Sequence, residues 1–170
     1  MKFREIKCFP HCVYRVDVAW TSLERHIHQD EEEMGLDLNP DFQRAHVWNE
    51  YQQSLYCEYI LRGGVSGKEL YFNGEWFGSR NDGPYVIVDG KQRLQAVRKF
   101  MSGKIKVFGH RFNEFKDKPN MLDARFSWNI AALDSKKDIL KWYLNFNSGG
   151  SVHTEKELQK VRCMLGEINE

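Results

Sequence analysis

No apolar stretch in the 170-residue sequence approaches the roughly 20 residues that a membrane-spanning helix needs, so a soluble protein with no membrane partner is the expectation. A paired cysteine framework is also missing. Cys8, Cys12, Cys57 and Cys163 are scattered, so a disulfide-stapled scaffold is excluded and free thiols in a reducing compartment are expected. The opening Met-Lys-Phe-Arg-Glu has no apolar run behind it, hence no signal peptide is expected and the cytoplasm is the expected location. Excess charge of either sign is lacking too, with 25 basic and 24 acidic side chains. No global field draws the chain to nucleic acid, and any such contact must be local. Internal repeats, low-complexity tracts and a Walker loop are all absent.

What is present is 41% hydrophobic and 14% aromatic content, enough to bury one sizeable core, so a single domain over residues 1–170 is expected. Residues 12–18 alternate as a half-buried strand, with Tyr14, Val16 and Val18 on one face. Thr21 with Glu24 reads as a capping box opening a polar helix that runs to Asp30-Glu31-Glu32-Glu33, an acidic run expected to be a solvated face. Leu36 to Pro40 must be extended before the proline. Asn49 with Gln52 caps a second helix, with Leu55, Tyr56, Tyr59 and Ile60 as its apolar stripe and Gly63-Gly64 as its stop.

A strand is expected over residues 69–72, turning at Asn73-Gly74 as a hairpin into Glu75-Trp76-Phe77. Residues 84–88 form a short apolar run that fits a strand buried on both faces. From Gly90 the period changes to that of an amphipathic helix carrying Leu94, Val97, Phe100 and Met101, stopped by Ser102-Gly103. Residues 105–108 and 126–130 are further strand candidates, joined by a charged loop. Asp134 is the expected cap of a helix reaching about Leu144, and Thr154 with Glu157 caps a last helix lined by Leu158, Val161, Leu165 and Ile168.

The chemistry concentrates where the buried strand runs into Asp89-Gly90-Lys91-Gln92-Arg93. A strand ending in Asp-Gly and opening a helix presents free backbone N–H groups and the positive end of the helix dipole at one point. Phosphate binds such points. Gly90 allows close backbone approach, Arg93 offers a planar fork for phosphate oxygens and Lys91 a point charge. Asp89 admits two readings: a helix cap paired with Gln92, worth about 1 kcal/mol, or a carboxylate that holds Mg²⁺ or orients a water.

Three separated motifs carry a resemblance. Asp41-Phe42-Gln43-Arg44 with Val47-Trp48, the turn from Asp89 to Arg93, and Asn145-Phe146-Asn147-Ser148-Gly149-Gly150 together resemble the ParB/sulfiredoxin-like domain of the GmrSD type, over about residues 36–162. That family commonly has a second glutamine where Lys91 stands. Asn147, Gly149 and Thr154 match the order of its third motif.

The resemblance implies an α/β (α+β) fold, a small mixed sheet with flanking helices, whose turn forms a nucleotide-phosphate pocket as in relatives that use ATP or CTP. It implies Mg²⁺-dependent NTP hydrolysis and a link to phage defence, since longer members gate a nuclease acting on modified DNA; a chain ending at Glu170 is expected to lack that nuclease domain. Catalytic roles fall to Asp89, Gln92 and Arg93. Phosphate contacts fall to Gly90, Lys91, Gln43, Arg44, Asn147, Gly149, Gly150 and His153, and metal contacts to Asp89 and Glu58. Without the resemblance Arg44 reads as a surface ion pair, Trp48 as core and residues 147–153 as a plain loop. A zinc site from Cys8, Cys12, His26 and His28 is set aside on its spacing, and no cysteine stands at the turn for sulfiredoxin-type nucleophilic chemistry. Rival expectations are a non-catalytic DNA- or protein-binding module, including binding to a nuclease or other defence protein, and a metal-dependent nuclease built on Asp89 and Glu58.

Overall fold

The computed structural model describes residues 14–43, 47–74, 84–147 and 155–167, with the side chains of Asn147 and residues 155–158 left aside. Four strands, β1 (Tyr14–Ala19), β2 (Glu69–Asn73), β3 (Val86–Asp89) and β4 (Arg125–Ala131), make one mixed sheet in the order β1-β4-β2-β3. β4 is antiparallel to β1 and parallel to β2, and β2 is antiparallel to β3. Helices α1 (Leu23–Met34), α2 (Glu50–Leu61), α3 (Lys91–Met101), α4 (Lys136–Asn147) and α5 (Glu155–Glu167) surround it. The architecture is the mixed α/β arrangement expected.

Side-chain alternation divides the interior into two layers. Ile87, Leu70, Phe72, Phe126, Trp128 and Ile130 face a core completed by α1, α2 and α3. Val86, Val88 and Ala131 face a second core with Ile139, Leu140, Trp142 and Tyr143 of α4 and Val161 of α5. β3 is thus apolar on both faces because helices cover both. Its outer edge is closed as well. Ile87 N donates to Asp37 O, Asp37 N donates to Tyr85 O, and Gln43 Nε2 donates to Ile87 O at 3.2 Å and Val88 O at 2.6 Å.

Several local readings change in the structure. Trp20–Ser22 form a 3-10 turn ahead of α1, and no Thr21–Glu24 box closes it; Ser22 Oγ donates to Ala19 O, while Glu24 takes a bidentate pair from Arg98 at 2.7 and 2.9 Å. A strong intramolecular fork outcompeted a local cap. Asp30 is not solvated: it is buried and accepts from Tyr85 Oη at 2.6 Å, and Tyr85 Oη accepts from Trp128 Nε1 at 3.1 Å. Glu31, Glu32 and Glu33 are exposed as expected.

The Asn49–Gln52 box on α2 forms in both directions. Its buried face, however, is Gln53, Cys57 and Ile60, with Leu55 and Tyr59 exposed. Tyr59 instead bonds Ser66 across the loop at 2.8 Å. Asn73-Gly74 is no hairpin turn. Asn73 is fully buried, donates to Pro84 O and Leu133 O and accepts from Leu133 N, while Gly74 N continues the ladder to Ala131 O. The proposed strand at residues 75–77 lies outside the described residues.

Residues 105–108 form no strand. Ile105 and Val107 are buried, but their segment has only a single Val107–His110 bridge, and Phe108 takes a left-handed φ of 52°. Ser135, not Asp134, caps α4, its hydroxyl accepting from Asp138 N at 3.1 Å, and the helix extends to Asn147. The Thr154 cap and Ile168 lie outside the described residues, while Val161 is buried as expected.

Candidate functional site

β3 delivers Asp89 to the head of α3, and Gly90 makes the turn with φ 100°, a conformation that side-chain-bearing residues rarely adopt. A Cβ at Gly90 would collide with Leu70 Cδ2 and sit 3.3 Å from Arg93 Nη2. Glycine is therefore demanded here by packing beneath the turn. Gly90 is also the cap residue, and among the described residues no side chain closes the first turn of α3. The Asp89–Gln92 cap pair does not form.

Each partner of that expected pair is engaged elsewhere. Asp89 Oδ2 accepts from Arg93 Nη2 at 2.7 Å, and the same Nη2 donates to Glu69 O at 3.0 Å. Arg93 Nε is buried without an acceptor among the described residues. The guanidinium thus lies across the start of β2 beside the turn. Gln92 Oε1 accepts from Val47 N at 2.9 Å and Trp48 N at 3.2 Å, anchoring the entry to α2 onto α3.

Lys91 is the residue whose state the sequence did not foretell. It is only 9% exposed and has no ion-pair partner among the described residues. Burial lowers its ammonium below the ordinary lysine value, with the charge of Asp37 pulling partly the other way. A desolvated cation that Asp37 offsets only in part, beside a helix head no described side chain caps, makes the turn locally positive.

The remaining candidates separate. Gln43 is brought to β3, where both its short contacts are to strand carbonyls. Arg44, Gly149, Gly150 and His153 lie outside the described residues, as do Ser148 and Thr154. Asn147 closes α4, whose preceding turn packs Phe146 against Tyr71 of β2 at 4.5 Å. Glu58 accepts from Phe108 N at 2.9 Å, in the segment that follows α3, and the structure commits it to that bond. Trp48 packs on the core edge with Tyr56, ring centroids 5.5 Å apart.

Among the described residues, no group of three or more His, Cys, Asp and Glu converges as a metal site. A lone carboxylate is still the ordinary way Mg²⁺ is held when substrate phosphates supply the other oxygens, and Asp89, partly exposed, fits that mode. His26 packs edge-on against Trp128, and His28 lies 3.3 Å from Glu32; Cys8 and Cys12 lie outside the described residues. Cys57 is buried and its thiol is pushed up to about 12 by desolvation, which makes it inert; Cys163 is a free, exposed thiol.

No described helix is long and apolar enough to cross a membrane. Comparison with curated proteins and with solved structures gave no match. A family model described as the GmrSD restriction endonuclease, N-terminal domain, matches residues 25–162, a span that takes in the Asp89 turn, strands β2, β3 and β4, the whole of α2, α3 and α4 and most of α1. With the match covering well over half of the sequence, the chain belongs to the family of GmrSD restriction endonuclease N-terminal domains.

Proposed function

We propose that the Asp89 turn binds the phosphates of a nucleoside triphosphate and promotes its Mg²⁺-dependent hydrolysis, as one step of restriction-type DNA processing in phage defence. The observation that carries this reading is the head of α3, which no described side chain caps, with the buried Lys91 beside it, which has no ion-pair partner among the described residues. Helix-head amides and a cation that lacks a counter-charge are both relieved by a phosphate. Asp89 would hold Mg²⁺ or orient the attacking water, and Mg²⁺ would neutralise charge on the phosphate oxygens. Water attack at the γ-phosphorus breaks the bond to the bridging oxygen and yields the diphosphate and inorganic phosphate.

Gln43 and Gln92 act at one remove. They fasten Gln43 to Val88 and Val47 to the first turn of α3, so the two ends of the segment that carries Arg44 flank the turn. Arg44, Asn147, Gly149, Gly150 and His153 complete the phosphate contacts, a role resting on the family motifs. Partners in this reading are a nucleotide and, downstream, DNA or a nuclease of the same defence system.

One observation favours a narrower reading, binding without turnover: Asp89 Oδ2 is already occupied by Arg93 Nη2 at 2.7 Å, which competes with a metal ion or a water for that oxygen. Calorimetric titration with ATP, GTP and CTP, with and without Mg²⁺, together with phosphate-release assays, separates the two. Hydrolysis lost in folded Asp89→Ala and Arg93→Ala proteins supports the enzyme. Tight binding with no phosphate released supports the sensor, and absence of nucleotide binding refutes both.

A further inference from the structure

The charged segment after α3 takes in the strand candidate at residues 105–108 and the start of the charged loop that follows it. Residues 104–118 hold five lysines and arginines against two acidic residues, on a chain of net charge +1, and three phenylalanines are interleaved with them. Lys104, Lys106, Lys116 and Lys118 are exposed and have no ion-pair partner among the described residues. Phe108, Phe112 and Phe115 join Phe100 and Leu61 around a cavity of about 220 Å³, whose lining also takes in Asp117, Lys118, Pro119 and Asn120. The ring of Phe100 is met edge-on by Phe112 at 5.5 Å and by Phe115 at 6.0 Å. A second groove of about 440 Å³ shares Phe112, Phe115, Asp117 and Lys118 with that lining and adds Lys116.

Phe108 is held at the mouth of this cavity at a cost. Its φ of 52° puts a bulky residue in the left-handed region, which costs roughly 1 kcal/mol. Two residues of α2 and the residue that caps its end, spaced by four, hold it there: Ser54 Oγ donates to Lys106 O, Glu58 accepts from Phe108 N, and the Arg62 guanidinium lies 4.8 Å over the Phe108 ring. That conformation leaves Phe108 36% exposed as a residue rather than filling the core. Apolar cavities of about 150 Å³ already admit benzene, so this one has room for a planar ring system.

We propose that this loop is a binding site for single-stranded nucleic acid, taking one unstacked base into the phenylalanine cavity while the backbone phosphates lie against Lys104, Lys106, Lys116 and Lys118. Rings supply the stacking face and lysines the counter-charge, the two components by which proteins hold unpaired strands. A base inside a duplex could not reach the cavity. The site is independent of the nucleotide reading of the Asp89 turn.

The test is fluorescence anisotropy of the intact protein with a labelled 12-nucleotide oligothymidylate, its RNA counterpart and a duplex of the same length, over a salt series. Single strands should bind better than the duplex. Phe108→Asn, which tolerates the left-handed backbone but lacks the ring, should weaken single-strand binding about tenfold with the melting temperature retained, and Phe108→Trp should restore it. Lys116→Gln with Lys118→Gln should reduce the salt slope by about 1.4. The proposal is overturned if no single strand binds at low salt, if duplex binds equally well, or if a folded Phe108→Asn protein binds unchanged. It is equally overturned if a blocked phenylalanine amide competes where thymidine does not, which would give the cavity to a protein side chain.

Discussion

Asp89 neutralises the very guanidinium that a phosphate would use, and this conflict makes a sharp prediction. With side-chain exposures of 31% and 24%, the Asp89–Arg93 pair is screened by water but not fully, so about 1 to 2 kcal/mol of attraction remains to be overcome before Arg93 can turn to a ligand. Mg²⁺ accepted by Asp89 would remove that competition, and free ATP would not. Wild-type protein should therefore bind Mg·ATP about tenfold more tightly than ATP in chelator. Asp89→Asn removes the competing charge and the metal ligand together. It should bind metal-free ATP at least as well as the wild type and gain nothing from Mg²⁺. Titration calorimetry of both proteins under both conditions gives the four affinities. Equal wild-type affinity with and without Mg²⁺, or parallel loss of both affinities in a folded Asp89→Asn protein, would refute the reasoning.

Other outcomes follow from the same geometry. Gly90→Ala should lose at least 2 kcal/mol in urea denaturation, because φ 100° and the contact with Leu70 oppose a methyl group together. Tyr85→Phe leaves Asp30 Oδ2 and Trp128 Nε1 without the hydroxyl that joins them and should cost about 1 to 3 kcal/mol by the same assay, whereas a change under 0.5 kcal/mol would show that water replaces it. Lys91→Met should raise stability at neutral pH. Since the folded-state pKa of Lys91 lies below its unfolded value, unfolding takes up a proton between the two, wild-type stability climbs across that window, and the advantage of the variant should fade as pH rises through it. Gln92→Ala frees the amides of Val47 and Trp48 and should lower ATP affinity while leaving the melting temperature within a few degrees.

Much of this was legible because the signals were local and strong. The apolar run before Asp89, the change of period at Gly90 and the Asn49–Gln52 box all appear in the structure where periodicity and capping chemistry put them. What stayed hidden was set by distant partners. Nothing near Asp30 in sequence announces Tyr85, fifty-five residues away, and nothing near Glu24 announces Arg98. Asn73-Gly74 has the composition of a tight turn, yet β4 on one side and Leu133 on the other gave the amide better partners inside. At the turn itself the sequence offered the right atoms in the wrong pairs: Asp89 with Gln92 as a cap, where the fold joins Asp89 to Arg93 and Gln92 to the segment before α2. Burial of Lys91 could not be read from a charged residue on an amphipathic helix, since it depends on what lies across the helix head.

The closed outer border of β3 bears on how this domain can meet other proteins. With Ile87 N, Ile87 O and Val88 O already satisfied by Asp37 and Gln43, that flank offers no ladder for an incoming chain to extend. Recruitment by β-addition and edge-to-edge polymerisation are both barred there, so a companion subunit approaching from that side must be recognised through side chains.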